Sequence, residues 1–160
     1  MADLIELPEL EEVLRDFADY FRNDYTQRLI ANDRVASRGL LESVRTRVQV
    51  GSDAYDVVVT LKDYWKYVED DTRPHWPPPD AILKWVEIKP TIPRPYTLNG
   101  KEISAKSLAY LVGRKISEKG TKGTHDLQRA KEDALAFFRQ RLKAAVGHDV
   151  INYIRKLSTA

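Results

Sequence analysis

Apolar residues recur at spacings of three and four through the first part of the chain: Leu10, Val13, Leu14, Phe17, Phe21, Tyr25 and Leu29. A helical turn holds 3.6 residues, so these side chains share one stripe of a helix of roughly six to seven turns. Asp16, Asp19, Arg22, Asn23 and Arg28 fall off the stripe and are expected to face water. Pro8 marks the start, because its missing N–H is one of the unbonded donors of a first turn. Asn32-Asp33 marks the end, and Ala36 to Leu41 reads as a short turn.

The period then changes to two. Val44, Thr46, Val48 and Val50 alternate with Arg45, Arg47 and Gln49. Tyr55, Val57, Val59 and Leu61 alternate next, with Val58 making that run apolar on both sides. Two such runs joined by Gly51-Ser52-Asp53-Ala54 predict a β-hairpin, whose register Asp53-Ala54 can shift by one. Helical spacing returns at Ile103, Leu108, Leu111, Val112 and Ile116, with Ser104 placed to cap that helix and Gly120 to stop it. Asn99-Gly100 is a turn signal. Gly120-Thr121-Lys122-Gly123-Thr124 reads as a flexible break. A last helix carries Leu127, Ala130, Ala134, Phe137, Phe138, Leu142 and Ala145 on one side. Gly147 is placed to bend or end it, and Val150, Ile151 and Ile154 continue an apolar face. The expected fold is α+β: long N-terminal and C-terminal helices packed on a small antiparallel β-sheet (a hairpin), with short connecting helices and a Pro-rich loop. It is expected as one domain over 1–160, with loose tails at 1–7 and 156–160.

Between hairpin and later helices lies the least ordinary stretch, Asp63 to Lys89. It opens with an aromatic turn of helix, Tyr64-Trp65-Lys66-Tyr67-Val68, closed by Glu69, Asp70 and Asp71. Prolines 74, 77, 78 and 79 then fix φ and leave the loop little freedom to lose on ordering. An amphipathic segment with Ile82, Leu83, Trp85 and Val86 follows, and residues 90–96 are expected to run extended. A loop so stiffened reads as a surface for presentation.

Composition narrows the class. At 160 residues, 42% hydrophobic and 31% charged, the chain has the make-up of a soluble globular domain. No apolar run approaches the roughly 20 residues of a membrane-spanning helix. The opening MADLIELPELEE lacks the basic-then-apolar order of a signal peptide, and zero cysteines exclude disulfides and thiolate chemistry. Net charge is only +2 but uneven. Residues 1–24 hold eight acids against Arg15 and Arg22, net −6, and residues 101–160 hold thirteen Lys/Arg against six acids, net +7. Solvated helix faces account for this; so does head-to-tail packing of acidic on basic ends, or nucleic acid at the basic end.

Few residues suggest chemistry. Asp80, Glu87 and Lys89 spell the elements of a metal-dependent nuclease, yet helical spacing of Ile82, Val86 and Lys89 turns Glu87 away from Lys89. A Pro-started helix with Asp80 in its first turn explains the same residues. His75, His125 and His148 show no metal-ligand spacing, and no phosphate loop or nucleophile triad is present. No cofactor, metal or catalytic residue is assigned, and the chain is not read as an enzyme. Trp65, Trp76 and Trp85 have too few basic neighbours for a single-strand stacking platform, and suit a core or a protein interface better.

The order of short motifs resembles the neck, or tail-completion, proteins of tailed bacteriophages, the head–tail connector family related to minor tail protein Z. The motifs are Arg38-Gly39-Leu40-Leu41-Glu42-Ser43-Val44, Tyr64-Trp65-Lys66-Tyr67-Val68-Glu69, and Pro77-Pro78-Pro79-Asp80-Ala81-Ile82-Leu83-Lys84-Trp85. Leu111-Val112-Gly113-Arg114-Lys115-Ile116 and Gly120-Thr121-Lys122-Gly123 complete the set, and the likeness covers about residues 10–145. Two places depart from it: Glu69-Asp70-Asp71-Thr72 stands for Glu-x-Gly-Thr, and His125-Asp126 stands for Pro-Phe. The resemblance implies a virion structural protein in a sixfold or twelvefold homo-oligomeric ring, beside portal-side and tail proteins, with DNA only as passing cargo and no membrane. It implies synthesis in the host bacterial cytoplasm. Within that reading, Tyr64, Trp65, Trp76, Arg94 and Tyr96 are the expected subunit or partner contacts. Lys115, Lys119 and Lys122 are expected to face the DNA lumen or an acidic partner.

Overall fold

The computed structural model describes residues 5–34, 38–51 and 54–158. Helix α1 (Pro8–Ala31) and a single-turn α2 (Gly39–Ser43) precede strands β1 (Arg45–Val50) and β2 (Tyr55–Thr60). A 3-10 turn (Asp63–Trp65), α3 (Lys66–Glu69) and α4 (Pro79–Ile88) follow. A small hairpin, β3 (Thr97–Leu98) and β4 (Lys101–Glu102), leads into α5 (Ala105–Lys119) and α6 (Asp126–Ser158). The fold is α+β, with long first and last helices packed on a small antiparallel hairpin. Two compact units share the chain: Met1–Gln27, Val44–Leu61 and Asp126–Ala160 form the first, Arg28–Ser43 and Lys62–His125 the second.

In the first unit the expected stripe of α1 becomes core. Phe17, Phe21 and Tyr25 are buried, as are Ala130, Ala134, Phe138 and Ala145 of α6. Alanines on one helix leave room for the aromatics of the other, so large and small side chains interdigitate. Phe17 meets Phe138 edge-on at 5.7 Å between centroids, and Tyr20 stacks on Phe137 at 5.1 Å. Phe137, placed in the core by its spacing, is instead 63% exposed, stacked on Tyr20 and meeting Phe138 edge-on at 5.2 Å. β1 pairs with β2 from Arg45↔Thr60 to Val50↔Tyr55, with Val44 buried just before the ladder. Residues 52 and 53 of the expected turn, and 36 and 37 of the earlier one, lie outside the described residues.

The start of α1 has no local cap, since Leu7 precedes Pro8 and neither offers a side-chain oxygen. The acceptor comes from 140 residues away. The Asp149 carboxylate, 3% exposed, accepts the N–H of Glu9 at 3.2 Å and of Leu10 at 2.8 Å. A carboxylate at this end also meets the positive pole of the helix dipole. His148 Nδ1 lies 3.1 Å from the Glu9 carboxylate, and Arg141 bridges to Asp16. Part of the acid–base asymmetry is therefore used between α1 and α6 of one chain. Leu7 N–H donates to the Tyr55 hydroxyl at 2.8 Å, which ties this end of the expected 1–7 tail to β2; residues 1–4 lie outside the described residues. At the other end α6 runs through Gly147 to Ser158, so that glycine neither ends the helix nor leaves 156–158 outside it.

Two substitutions on α6 should move stability in opposite directions in urea unfolding. Gly147→Ala, with nothing within 4 Å of the added Cβ, should stabilise by about 0.5–1 kcal/mol through helix propensity. Asp149→Ala should cost about 1–3 kcal/mol, because two N–H groups of α1 lose their acceptor.

Candidate functional site

The second unit holds the stretch that the sequence singles out. α4 starts at Pro79 with Asp80 in its first turn, as the spacing predicts. α5 starts where Ser104 Oγ accepts the Ser107 N–H at 3.1 Å and ends at Gly120, at φ +69°. Residues 97–102, read only as an extended end and a turn signal, form the β3–β4 hairpin. Asn99 and Gly100, at φ +50° and +77°, supply the two left-handed residues that a two-residue hairpin loop requires. Residues 90–95 are turns and bends with a cis Arg94–Pro95 bond, not a continuous extended segment.

The loop 120–124, expected as a flexible break, is instead fastened to residues 68–72. Thr72 N–H donates to the Thr121 carbonyl at 2.9 Å, and Thr121 N–H to Thr72 Oγ1 at 3.0 Å. Gly123 N–H donates to the Asp71 carboxylate at 2.8 Å. Thr124 and His125 N–H groups donate to the carbonyls of Val68 and Glu69, at 3.1 and 3.2 Å. Two glycines make the approach possible. A Cβ at Gly120 would sit 1.9 Å from the Thr72 carbonyl oxygen, and one at Gly123 would sit 1.9 Å from that of Glu69. The mobility that glycine suggests in sequence is spent here on close backbone contact.

From this clamp the proline loop runs on to α4 and sets Trp76 against α5. The Trp76 ring lies over Gly113, 3.4 Å from where a Cβ would be, and tilts against Tyr110 at 6.0 Å between centroids. Both rings remain 60% exposed. Trp76, Pro77, Ile82, Leu83, Tyr110 and Gly113 line a cleft of about 260 Å³ between α4 and α5, with Asp80 and Lys106 as its charged groups. A second cleft of about 400 Å³, lined by Leu98, Ile103 and Leu111, shares Lys106 and Tyr110 with the first. The two clefts lie on either side of the Lys106–Tyr110 row of α5.

The expected contact residues divide into two kinds. Tyr64 and Trp76 are open to solvent, Trp65 is half-buried, and Lys115, Lys119 and Lys122 are exposed. Arg94 and Tyr96 are already engaged. The Arg94 guanidinium donates to the Glu87 carbonyl and, at 3.3 Å, to the Tyr96 hydroxyl; that hydroxyl donates to the Val86 carbonyl at 3.4 Å. They close the last turn of α4, whose carbonyls have no partner within the helix. Tyr110 and Lys106 carry no signal in the sequence, and Gly113 stands there only within the Leu111–Ile116 stretch. Gly113, a glycine inside a helical pattern, carries the one signal that points to close packing there.

Asp80 and Glu87 lie seven residues apart on α4, a rise of about 10 Å along its axis. Lys89 is 8% exposed, with its Nζ 3.0 Å from the Asp33 carboxylate and 5.3 Å from the Trp85 ring centroid. Its hydrogen bond, helped by one from Thr91, holds the Asp33 carboxyl below the usual carboxylate value. That contribution to stability is full above the usual value and fades as pH falls through the lowered one. Among the described residues no group of three or more acid or histidine side chains is placed to hold a metal, and no helix is long and apolar enough to cross a membrane. Fold and site together describe an α+β protein with, among the described residues, an open apolar cleft walled by a fastened proline loop. Compared with protein-family models, curated proteins and solved structures, the chain gives no match.

Three glycines of this unit, Gly113, Gly120 and Gly123, should respond differently to alanine, read by tryptophan fluorescence during chemical unfolding. Gly123→Ala and Gly120→Ala force a Cβ onto backbone oxygen, and each should cost about 3 kcal/mol or more. Gly113→Ala meets the Trp76 ring at ordinary contact distance and should be neutral or stabilising by up to about 1 kcal/mol.

Proposed function

We propose that the chain is a structural virion protein of the head-to-tail interface of a tailed bacteriophage, one copy in a ring that joins capsid and tail and lets DNA pass. The observation that carries this reading is the fastened proline loop: it holds Trp76 open to solvent beside an apolar groove before any partner arrives. A surface ordered in advance loses little conformational freedom on docking, which suits a part that must fit neighbours in fixed directions. Motif order supports the same reading. Of the stretches that resemble neck proteins, Pro77–Trp85 opens α4, Leu111–Ile116 contains the glycine under Trp76, and Gly120–Gly123 is the clamp. Three of the five resembling stretches thus carry residues that line or fasten the cleft.

In this reading Tyr64, Trp65 and Trp76 face neighbouring subunits or the next ring, and Arg94 and Tyr96 act by bracing α4 behind the groove. Lys115, Lys119 and Lys122 supply positive charge toward passing DNA or an acidic neighbour. Antibody raised against the chain should label the head–tail junction of intact tailed particles in electron micrographs. Labelling confined to other cellular material overturns the proposal, as does hydrolysis of nucleic acid by the purified protein. Steeply salt-dependent binding of free duplex would move the assignment to a nucleic-acid-binding module.

A further inference from the structure

The cleft between α4 and α5 joins apolar walls to one charged group of each sign. Trp76, Ile82 and Leu83 give it carbon surface, and Asp80 and Lys106 come from the first turns of the two helices. Neither charged side chain makes a hydrogen bond or ion pair to another described residue. The same holds for the Trp76 indole N–H and the Tyr110 hydroxyl. The Trp76 atoms nearest Gly113 are Cζ3 and Cε3, so the N–H lies on the far side of the ring system from that glycine. Donors and acceptors of hydrogen bonds thus stand unspent beside two open aromatic rings.

These groups decide what chemistry fits. A cation drawn to the rings and to Asp80 also meets Lys106, and an anion drawn to Lys106 also meets Asp80. A wholly apolar side chain covers both charges and gives neither a partner, which is costly. A neutral ring with C–H groups on its faces and hydroxyls on its rim suits all of them. Its faces lie on aromatic carbon, and each hydroxyl both donates and accepts. Size agrees: at about 260 Å³ the cleft is just below the roughly 300–1,000 Å³ of sites for drug-sized ligands, room for a sugar-sized ring.

We propose that this cleft binds a neutral saccharide, which stacks a ring on Trp76 and Tyr110, accepts from Lys106 and donates to Asp80. The proposal rests on the reading of Trp76 as a contact presented before its partner arrives, and names a sugar as what it meets. It does not depend on the place of the chain in a particle. Little has to be ordered on binding, because the clamp and the prolines hold Trp76 beforehand. The cleft is small and open, so a single sugar should bind with a Kd on the order of 1 mM.

Glucose, N-acetylglucosamine, maltotetraose and chitotetraose are the probes, titrated to about 20 mM and followed by tryptophan fluorescence and saturation-transfer NMR. At least one should bind, with an affinity that changes less than about twofold between roughly 50 and 500 mM salt, since the ligand carries no charge. Trp76→Ala should weaken binding by about tenfold or more and Asp80→Asn by about threefold. Both side chains are exposed, so circular dichroism should not change. Tyr67→Ala removes an exposed aromatic outside the cleft and should bind as the parent chain does. Absence of binding by all of these saccharides, equal binding by Trp76→Ala, or the same loss in Tyr67→Ala would each overturn the site. Decaproline is the competing ring-bearing probe, and its binding where no saccharide binds assigns the cleft to an extended peptide and overturns the proposal. Saccharide binding without labelling of tailed particles keeps this site and sinks the virion reading. Labelled particles without saccharide binding do the reverse.

Discussion

The second unit depends on a backbone approach that only glycine permits. At Gly120 and Gly123 the chain comes so close to the Thr72 and Glu69 carbonyls that any Cβ would lie within 2 Å of oxygen. The hydrogen bonds of Thr72, Thr121, Gly123, Thr124 and His125 exist because of that approach. They fix the start of the proline loop, whose four ring-locked φ angles then leave few ways to reach α4. Trp76 is held against Gly113 as a result, and the groove is shaped by the ring. A third glycine, inside α5, thus gives the loop its landing place.

The first unit solves a different problem, that of a helix beginning without a cap. Pro8 removes one donor and Asp149 accepts two of the others. A buried carboxylate is costly unless it is hydrogen-bonded, and the helix start provides both the bonds and a favourable dipole. The contact joins the first turn of one long helix to the sixth turn or later of the other, so it helps set their register. Phe17, Tyr20 and Phe138 then pack at fixed spacing beyond it.

What could be read from sequence were features carried by periodicity and local caps. The α1 stripe, the alternation of β1 and β2, the proline at the start of α4, and Ser104 and Gly120 around α5 all lie within a few residues of what they control. The unread features couple distant residues. Nothing near Asp149 announces that its partners are Glu9 and Leu10. A glycine-rich run reads as mobile whether it is free or pressed against another backbone, so Gly123 looked like a break. Phe137 and Phe138 are adjacent, and periodicity alone does not say which of two neighbouring aromatics turns inward. Arg94 and Tyr96 look like free contact residues until the end of α4 is placed beside them.

Charge sorting along the sequence is in part an affair of one chain. The acidic start and basic end of the sequence suggest opposite ends of an assembly held by charge. Part of that charge is already used inside one chain, through Arg141–Asp16, His148–Glu9 and the Asp149 cap. Two of the surfaces left open are apolar: the cleft beside Trp76 and one side of the last turns of α6. Exposed ion pairs weaken with added salt, whereas apolar burial does not and is strengthened by kosmotropic salts. The open apolar surfaces therefore respond to salt in the opposite sense to the ion pairs between α1 and α6, because what they cost in water is exposed apolar area.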